Sequence, residues 1–173
     1  MVNAGIYLNQ GIFILVVAFS IILIMMFHIK DFLVFFHQDE DVAIHTAAYM
    51  ICYFPALLIY GISDLLRKFL NSFRMSMIPF LSFTVSVTFH PLWTYLFIVK
   101  YEYGIIGIAI AGLITNLTTF ILIKIFILSR PQLKETKVSL CSKSTFDSKG
   151  LYQYVSLALP LIFTIILDNW VWE

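Results

Sequence analysis

Five stretches of this chain are apolar almost without interruption, and polar positions gather between them. The first runs from about Gln10 to Phe27 and carries no charge. The second covers about Val42 to Ser63, with Pro55 near its middle. The third covers about Met75 to Val99, with Pro79 near its start and Pro91 in its second half. The fourth extends from about Tyr103 to Ile123 and continues past Lys124 to Leu128. The fifth runs from about Gly150 to Trp172, with Pro160 inside it and Asp168 near its end. A helix that crosses a bilayer needs about 20 mostly apolar residues, and each run supplies that length. Transmembrane strands would alternate apolar and polar over about 10 residues; these runs are continuous and longer. A helix also satisfies its own backbone inside lipid. The pattern predicts an all-α integral membrane protein, a polytopic bundle of about five transmembrane helices.

Composition strengthens this reading. Of 173 residues, 61% are hydrophobic and 12% charged, against roughly 25% charged in soluble domains. Mean hydropathy is +0.93. The 17 Phe and 9 Tyr suit a bilayer and its interfaces. No Lys or Arg precedes Lys30, so the first run lacks the basic flank of a secretory leader and reads as a spanning helix.

Charge placement orients the bundle. Assigned alternately to the two sides, the connections put Arg67, Lys68, Arg74, Lys124, Arg130, Lys134, Lys137, Lys143 and Lys149 on one side. Only Lys30 and Lys100 fall on the other. Basic residues accumulate in cytoplasmic connections, so 64–74 and the polar linker 129–149 are expected in the cytoplasm and the acidic Asp39–Glu40–Asp41 loop outside. The linker also holds Ser139, Ser142, Ser144 and Thr145, suited to anionic lipid or phosphorylation. A net charge of +1 gives no ground for a nucleic-acid partner.

Few residues promise chemistry. Asp168 and Glu173 are carboxylates on an otherwise apolar segment, with Trp170 between them. A carboxylate within a membrane is unfavourable unless it meets water, a partner or a proton. That favours a proton- or cation-coupling role, set against the plainer account of a helix end reaching the interface. Pro55, Pro91 and Pro160 break helical hydrogen bonding and can act as hinges, although spanning helices also tolerate proline. Asp64 precedes Arg67 and Lys68 by three and four residues, a spacing for a same-face pair at a solvated helix end. His28, His37, His45 and His90 show no metal-ligand spacing, and His90 reads as a paired structural histidine. Cys52 and Cys141 read as unpaired thiols. Gly104, Gly107, Ala109, Ala111 and Gly112 allow close helix approach, with Thr115 and Asn116 adding polar groups. No phosphate loop, GxSxG element or other enzyme motif is present, and nothing calls for a cofactor.

The order of several elements resembles the multidrug and toxin extrusion (MATE) family of secondary transporters, especially its eukaryotic branch. Gln38–Val42 (QDEDV) resembles the family's short outer loop. Tyr53–Leu57 (YFPAL) carries a matching proline. Leu66–Pro79 (LRKFLNSFRMSMIP) resembles the family's cytoplasmic connection, with Asn71 and Phe73 where glutamines are usual. Gly104–Asn116 looks like the small-residue helix before the central linker. Leu157–Glu173 looks like the seventh helix, with its proline and acidic, tryptophan-rich end.

The resemblance covers almost the entire chain. It implies a partial MATE-type fold holding helices three to seven of about twelve: residues 1–128 as four helices of the N-terminal lobe, 129–149 as a cytoplasmic basic linker, and 150–173 as the truncated first helix of the C-terminal lobe. It implies an antiporter that exports organic cations, xenobiotics or metabolites in exchange for protons or sodium, completed by the missing remainder of the same transporter. It places Asp168 at the coupling position, one methylene shorter than the usual Glu, and Glu173 at a second acid, with Asn169 where an aromatic is usual. The alternatives are a non-transporting membrane subunit or truncated paralogue, and a membrane enzyme or lipid flippase.

Overall fold

The computed structural model describes residues 2–130, 133 and 147–172, and all of its regular structure is helical. Helix α1 spans Val2–Phe27 and α2 spans Ile29–Phe35. Helix α3 spans Glu40–Ser72 and α4 spans Met77–Tyr95, running on into a π-helical turn over Leu96–Lys100. Helix α5 spans Gly104–Ser129 and α6 spans Ser148–Trp172. Helices α1, α3, α4 with its π turn, and α5 are long and apolar enough to cross a membrane. The fifth expected span falls on α6, whose described apolar stretch, Gly150–Thr164, is shorter than a membrane crossing needs.

Two expected connections are helical instead. The 28–41 loop contains α2 and the first turn of α3. Asp39 caps that turn by accepting a hydrogen bond from the Asp41 amide at 2.9 Å, and Lys30 reaches Glu40 at 3.1 Å. The basic 64–74 connection is helix as far as Ser72. With 33 residues, α3 is about 50 Å long at 1.5 Å per residue, against a hydrocarbon core of about 30 Å. Its last turns therefore project from the bilayer. They are amphipathic: Leu66, Phe69 and Leu70 turn inward while Arg67 and Lys68 stay exposed.

The main apolar cluster sits at this projecting end. Leu66, Phe69 and Leu70 of α3 meet Ile78 of α4, Ile123 of α5 and Leu133, with Ala4 and Leu8 of α1 packed around them. The helix ends carrying Arg67, Lys68, Arg74 and Lys124 thus converge, while Lys30 lies beside the opposite end of α3. The uneven charge of the sequence becomes one basic end of the bundle.

Elsewhere the helices approach through small residues. Helix α5 is the hub, packed against α3, α4 and the π turn. A Cβ on Gly107 would lie 2.9 Å from the Phe97 carbonyl oxygen, and one on Gly112 would lie 2.6 Å from the Tyr53 ring. Ala56, Ala109 and Ala111 are wholly buried.

Helix termini close with left-handed residues other than glycine. Arg74 (φ 59°) ends α3. Its amide donates to the Asn71 carbonyl at 2.9 Å and the Met75 amide donates to the Leu70 carbonyl at 3.0 Å. This is a Schellman closure, and Met75 adds its hydrophobic contact by packing on the apolar cluster. His37 (φ 62°) ends α2 in the same way.

Candidate functional site

Helix α6 carries the sequence-predicted coupling residues. Its first turn is capped by Asp147, whose carboxylate accepts from the Gly150 amide at 3.3 Å. The helix docks where side chains are smallest. A Cβ on Gly150 would sit 2.5 Å from Gln10 Nε2 of α1, and one on Gly11 would sit 2.8 Å from the Tyr154 hydroxyl. Among the described helices, α6 packs against α1 alone. An open cleft of about 800 Å³ lies beside this junction, lined by Tyr7, Lys68, Gln153, Tyr154, Ser156 and Leu157.

Beyond the junction Ile162, Phe163 and Leu167 are exposed. Thr164 donates to the Pro160 carbonyl at 2.9 Å, and Asp168 is exposed. Within this chain the Asp168 carboxylate is not enclosed; lipid, water or further protein would supply its surroundings. Trp170 lies in α6 and Glu173 lies outside the described residues. Asp168 lines neither of the clefts described for this chain. Pro55 and Pro160 both lie inside helices, α3 and α6, as expected of hinge candidates.

A second cleft was not foreseen. It holds about 130 Å³ between α3, α4 and α5 and is lined by Tyr60, Ser63, Asp64, Arg67, Pro79, Phe83, Asn116, Thr119 and Ile123. Asp64 is only 22% exposed and binds two cations, Lys68 at 2.9 Å and Arg67. The spacing of Asp64, Arg67 and Lys68 was legible as a same-face cluster. What the sequence did not reveal is that α3 continues and that α4 and α5 cover the carboxylate. A solvated helix end becomes part of the wall of a cleft between three helices.

Polar side chains also tie the spanning segments together. Asn116 Nδ2 donates to the Ala56 carbonyl at 3.3 Å, joining α5 to α3 one residue after Pro55. His90 Nδ1 lies 2.8 Å from Thr115 Oγ1, joining α4 to α5. The expectation of a paired histidine is met. Ser82, Thr84, Ser86 and Thr88 each donate to the carbonyl one turn back, which keeps hydroxyls satisfied within the helix.

The helical membrane architecture and its small-residue packing define a polytopic all-α bundle, and comparison with known proteins places it. Residues 1–96 match the MatE family, and the chain belongs to that family. Protein DETOXIFICATION 48 of Arabidopsis thaliana is 31% identical over 79% of this chain and 25% of its own length. Protein DETOXIFICATION 53 of the same plant is 27% identical over 95% of this chain and 34% of its own length. Multidrug and toxin extrusion protein 1 of Xenopus tropicalis is 24% identical over 98% of this chain and 29% of its own length. The fold superposes on the crystal structure of the eukaryotic MATE transporter AtDTX14 with a TM-score of 0.81, at 20% identity, over 92% of this chain and 35% of that one. The chain thus spans about a quarter to a third of the relatives it matches.

Proposed function

We propose that this chain forms most of one lobe, and the opening helix of a second, of a secondary antiporter that moves organic cations or other small metabolites against protons or sodium. In this reading 1–128 supplies four helices of the first lobe, 129–149 a cytoplasmic linker and 150–173 the first helix of the second. The observation that carries it is the separation of α6 from the bundle. Family membership assigns the transporter class, while among the described helices α6 packs against α1 alone, near Gln10, Gly11, Gly150 and Tyr154, and leaves Asp168 exposed.

Alternating access requires two bodies that rock against each other around a shared site. A helix anchored at one end, with Pro160 inside it and a carboxylate two turns further on, is suited to the boundary between two such bodies. Asp168 would bind the coupling cation there, with Trp170 and Glu173 nearby in sequence, and Pro55 and Pro160 would absorb the bending.

Grafting tests this reading. The chain replaces the corresponding third of AtDTX14, and proton-driven export of a fluorescent organic cation is followed in vesicles. The graft is expected to transport, and Asp168→Asn in the graft is expected to abolish coupling while the protein still inserts. Vesicles holding the 173-residue chain alone are expected to be silent. Undiminished export by the Asp168→Asn graft would remove Asp168 from the coupling role, and export by the chain alone would remove the need for a second lobe.

A further inference from the structure

The open cleft beside the α1–α6 junction changes character along its length. Its mouth is polar, formed by Lys68 near the end of α3, Tyr7 of α1, and Gln153 and Tyr154 of α6. Its wall further along α6 is apolar, formed by Leu157, Ala158 and Ile162. Leu157 is 71% exposed and Ile162 52%, so the described residues leave that wall largely uncovered. From Gln153 to Ile162 the helix rises about 13 Å, at 1.5 Å per residue.

The same rise sets the depth of the mouth. The apolar run of α3 ends near Ser63, and Lys68 follows about 7 Å further along the axis. The headgroup layer adds about 5–7 Å outside each face of the hydrocarbon. The Lys68 ammonium is therefore placed at the level of lipid phosphates. Tyr7 precedes the apolar run of α1 by about a turn, an interfacial position that tyrosine favours. The apolar wall of α6 continues from the mouth toward the hydrocarbon.

Charge selects the occupant. Arg67 and Lys68 share one carboxylate, Asp64, which Lys68 reaches at 2.9 Å. Two cations on one anion leave a positive charge over. An ammonium has three N–H donors; Asp64 takes one and leaves two for an acceptor in the cleft. The Lys68 side chain is 70% exposed. Among the described residues no Asp or Glu lines the cleft, and Asp147, at the start of α6, is turned to the Gly150 amide. A cation would be repelled at this mouth. An anion with an apolar body meets a complementary group at each end.

We propose that the cleft seats one anionic phospholipid from the leaflet at the basic end of the bundle. Its phosphate meets Lys68, and an acyl chain lies along Leu157, Ala158 and Ile162. Basic pockets between spanning helices bind anionic headgroups in this way. Among the described helices α6 packs against α1 alone; the lipid gives it a second attachment, to the end of α3. This site is independent of transport and of Asp168.

Native mass spectrometry tests it. The full 173-residue chain is released from nanodiscs of equal phosphatidylglycerol and phosphatidylcholine, and the lipid it retains is counted. One phosphatidylglycerol per chain is expected to survive release. Lys68→Gln is expected to lower that occupancy about fivefold, the scale of one basic residue facing anionic lipid, and Lys68→Arg to keep it. Lys30→Gln, at the opposite end, is expected to leave it unchanged. Soluble glycerol phosphate, which has the phosphate without acyl chains, is expected not to displace the lipid even in excess. The AtDTX14 graft is expected to show the same dependence on Lys68. Equal retention of the two lipids, retention indifferent to Lys68→Gln, or displacement by glycerol phosphate would overturn the proposal. Loss of the retained lipid in the graft would mean that the rest of the transporter fills the cleft, and would overturn it as well. Should Lys68→Gln fail to fold, the lipid preference of the parent chain and its response to glycerol phosphate decide.

Discussion

Helices α5 and α6 are near twins in the sequence: 26 and 25 residues long, apolar, and poor in charge. In the structure they have opposite fates. Helix α5 sits among α3, α4 and the π turn, whereas α6, among the described helices, packs against α1 alone and exposes Tyr152, Leu157 and Phe163. The difference lies in small residues and polar ties rather than in hydrophobicity. In lipid, apolar surface does not by itself drive helices together; close packing and interhelical hydrogen bonds do. Helix α5 has Gly107, Ala109, Ala111 and Gly112 on the sides it presents to its neighbours, and it reaches α3 and α4 through Asn116 and Thr115. Helix α6 makes its glycine approaches at one end only, Gly150 against Gln10 and Tyr154 against Gly11 of α1.

The comparison breaks most readily at the basic end. There α3 has left the hydrocarbon and burial from water again stabilises packing. Leu70 is fully buried and Leu157 of α6 is 71% exposed. Leu70→Ala is expected to destabilise the bundle by about 2–5 kcal/mol and Leu157→Ala by almost nothing. Thermal unfolding in detergent distinguishes them, and equal losses would contradict the packing described.

Next in size is the close approach of α5. Gly107→Ala sets a methyl group against the Phe97 carbonyl oxygen, backbone that cannot swing aside, and is expected to destabilise by about 1–3 kcal/mol. Ala158→Val on α6, beside an open cleft, is expected to leave the melting temperature unchanged. A neutral Gly107→Ala would mean that α5 is not held as tightly as its packing implies.

The end of α3 gives a smaller effect of opposite sign. Arg74 holds φ at 59°, a conformation that costs a residue with a Cβ about 1–2 kcal/mol and glycine little. Arg74→Gly is therefore expected to raise stability by up to about 1 kcal/mol, the added chain entropy of glycine offsetting part of the gain. The smallest effect belongs to the Lys30–Glu40 pair, 43% and 71% exposed. Lys30→Ala is expected to change stability by less than about 0.5 kcal/mol, and less still in high salt.

The sequence was readable wherever one physical requirement dominates a long stretch. Spanning a bilayer demands about 20 apolar residues whatever the fold, so the helices and the gathering of positive charge at one end could be read in advance. Boundaries were less legible. The turns of α3 after Asp64 alternate Leu66, Phe69 and Leu70 with Arg67 and Lys68, which reads as a charged connection until α4, α5 and Leu133 provide something for the leucines to bury against. The left-handed ends at His37 and Arg74 carried no glycine to announce them.

The candidate sites divide in the same way. Single residues could be picked out: Asp168 by its carboxylate in an apolar run, Asp64 by its same-face neighbours at i+3 and i+4, His90 as a histidine in need of a partner. Sequence by itself determined a membrane bundle with its positive charge gathered at one end and the transporter family it resembles, because hydropathy and charge act through the bilayer on each segment independently. Only the tertiary structure decided that Asp64 walls a cleft and that His90 meets Thr115, twenty-five residues away. It also decided that α5 is enclosed while α6 stands at the margin. Those outcomes depend on which helices come within a few ångströms of one another, and a property shared between segments is not written in any one of them.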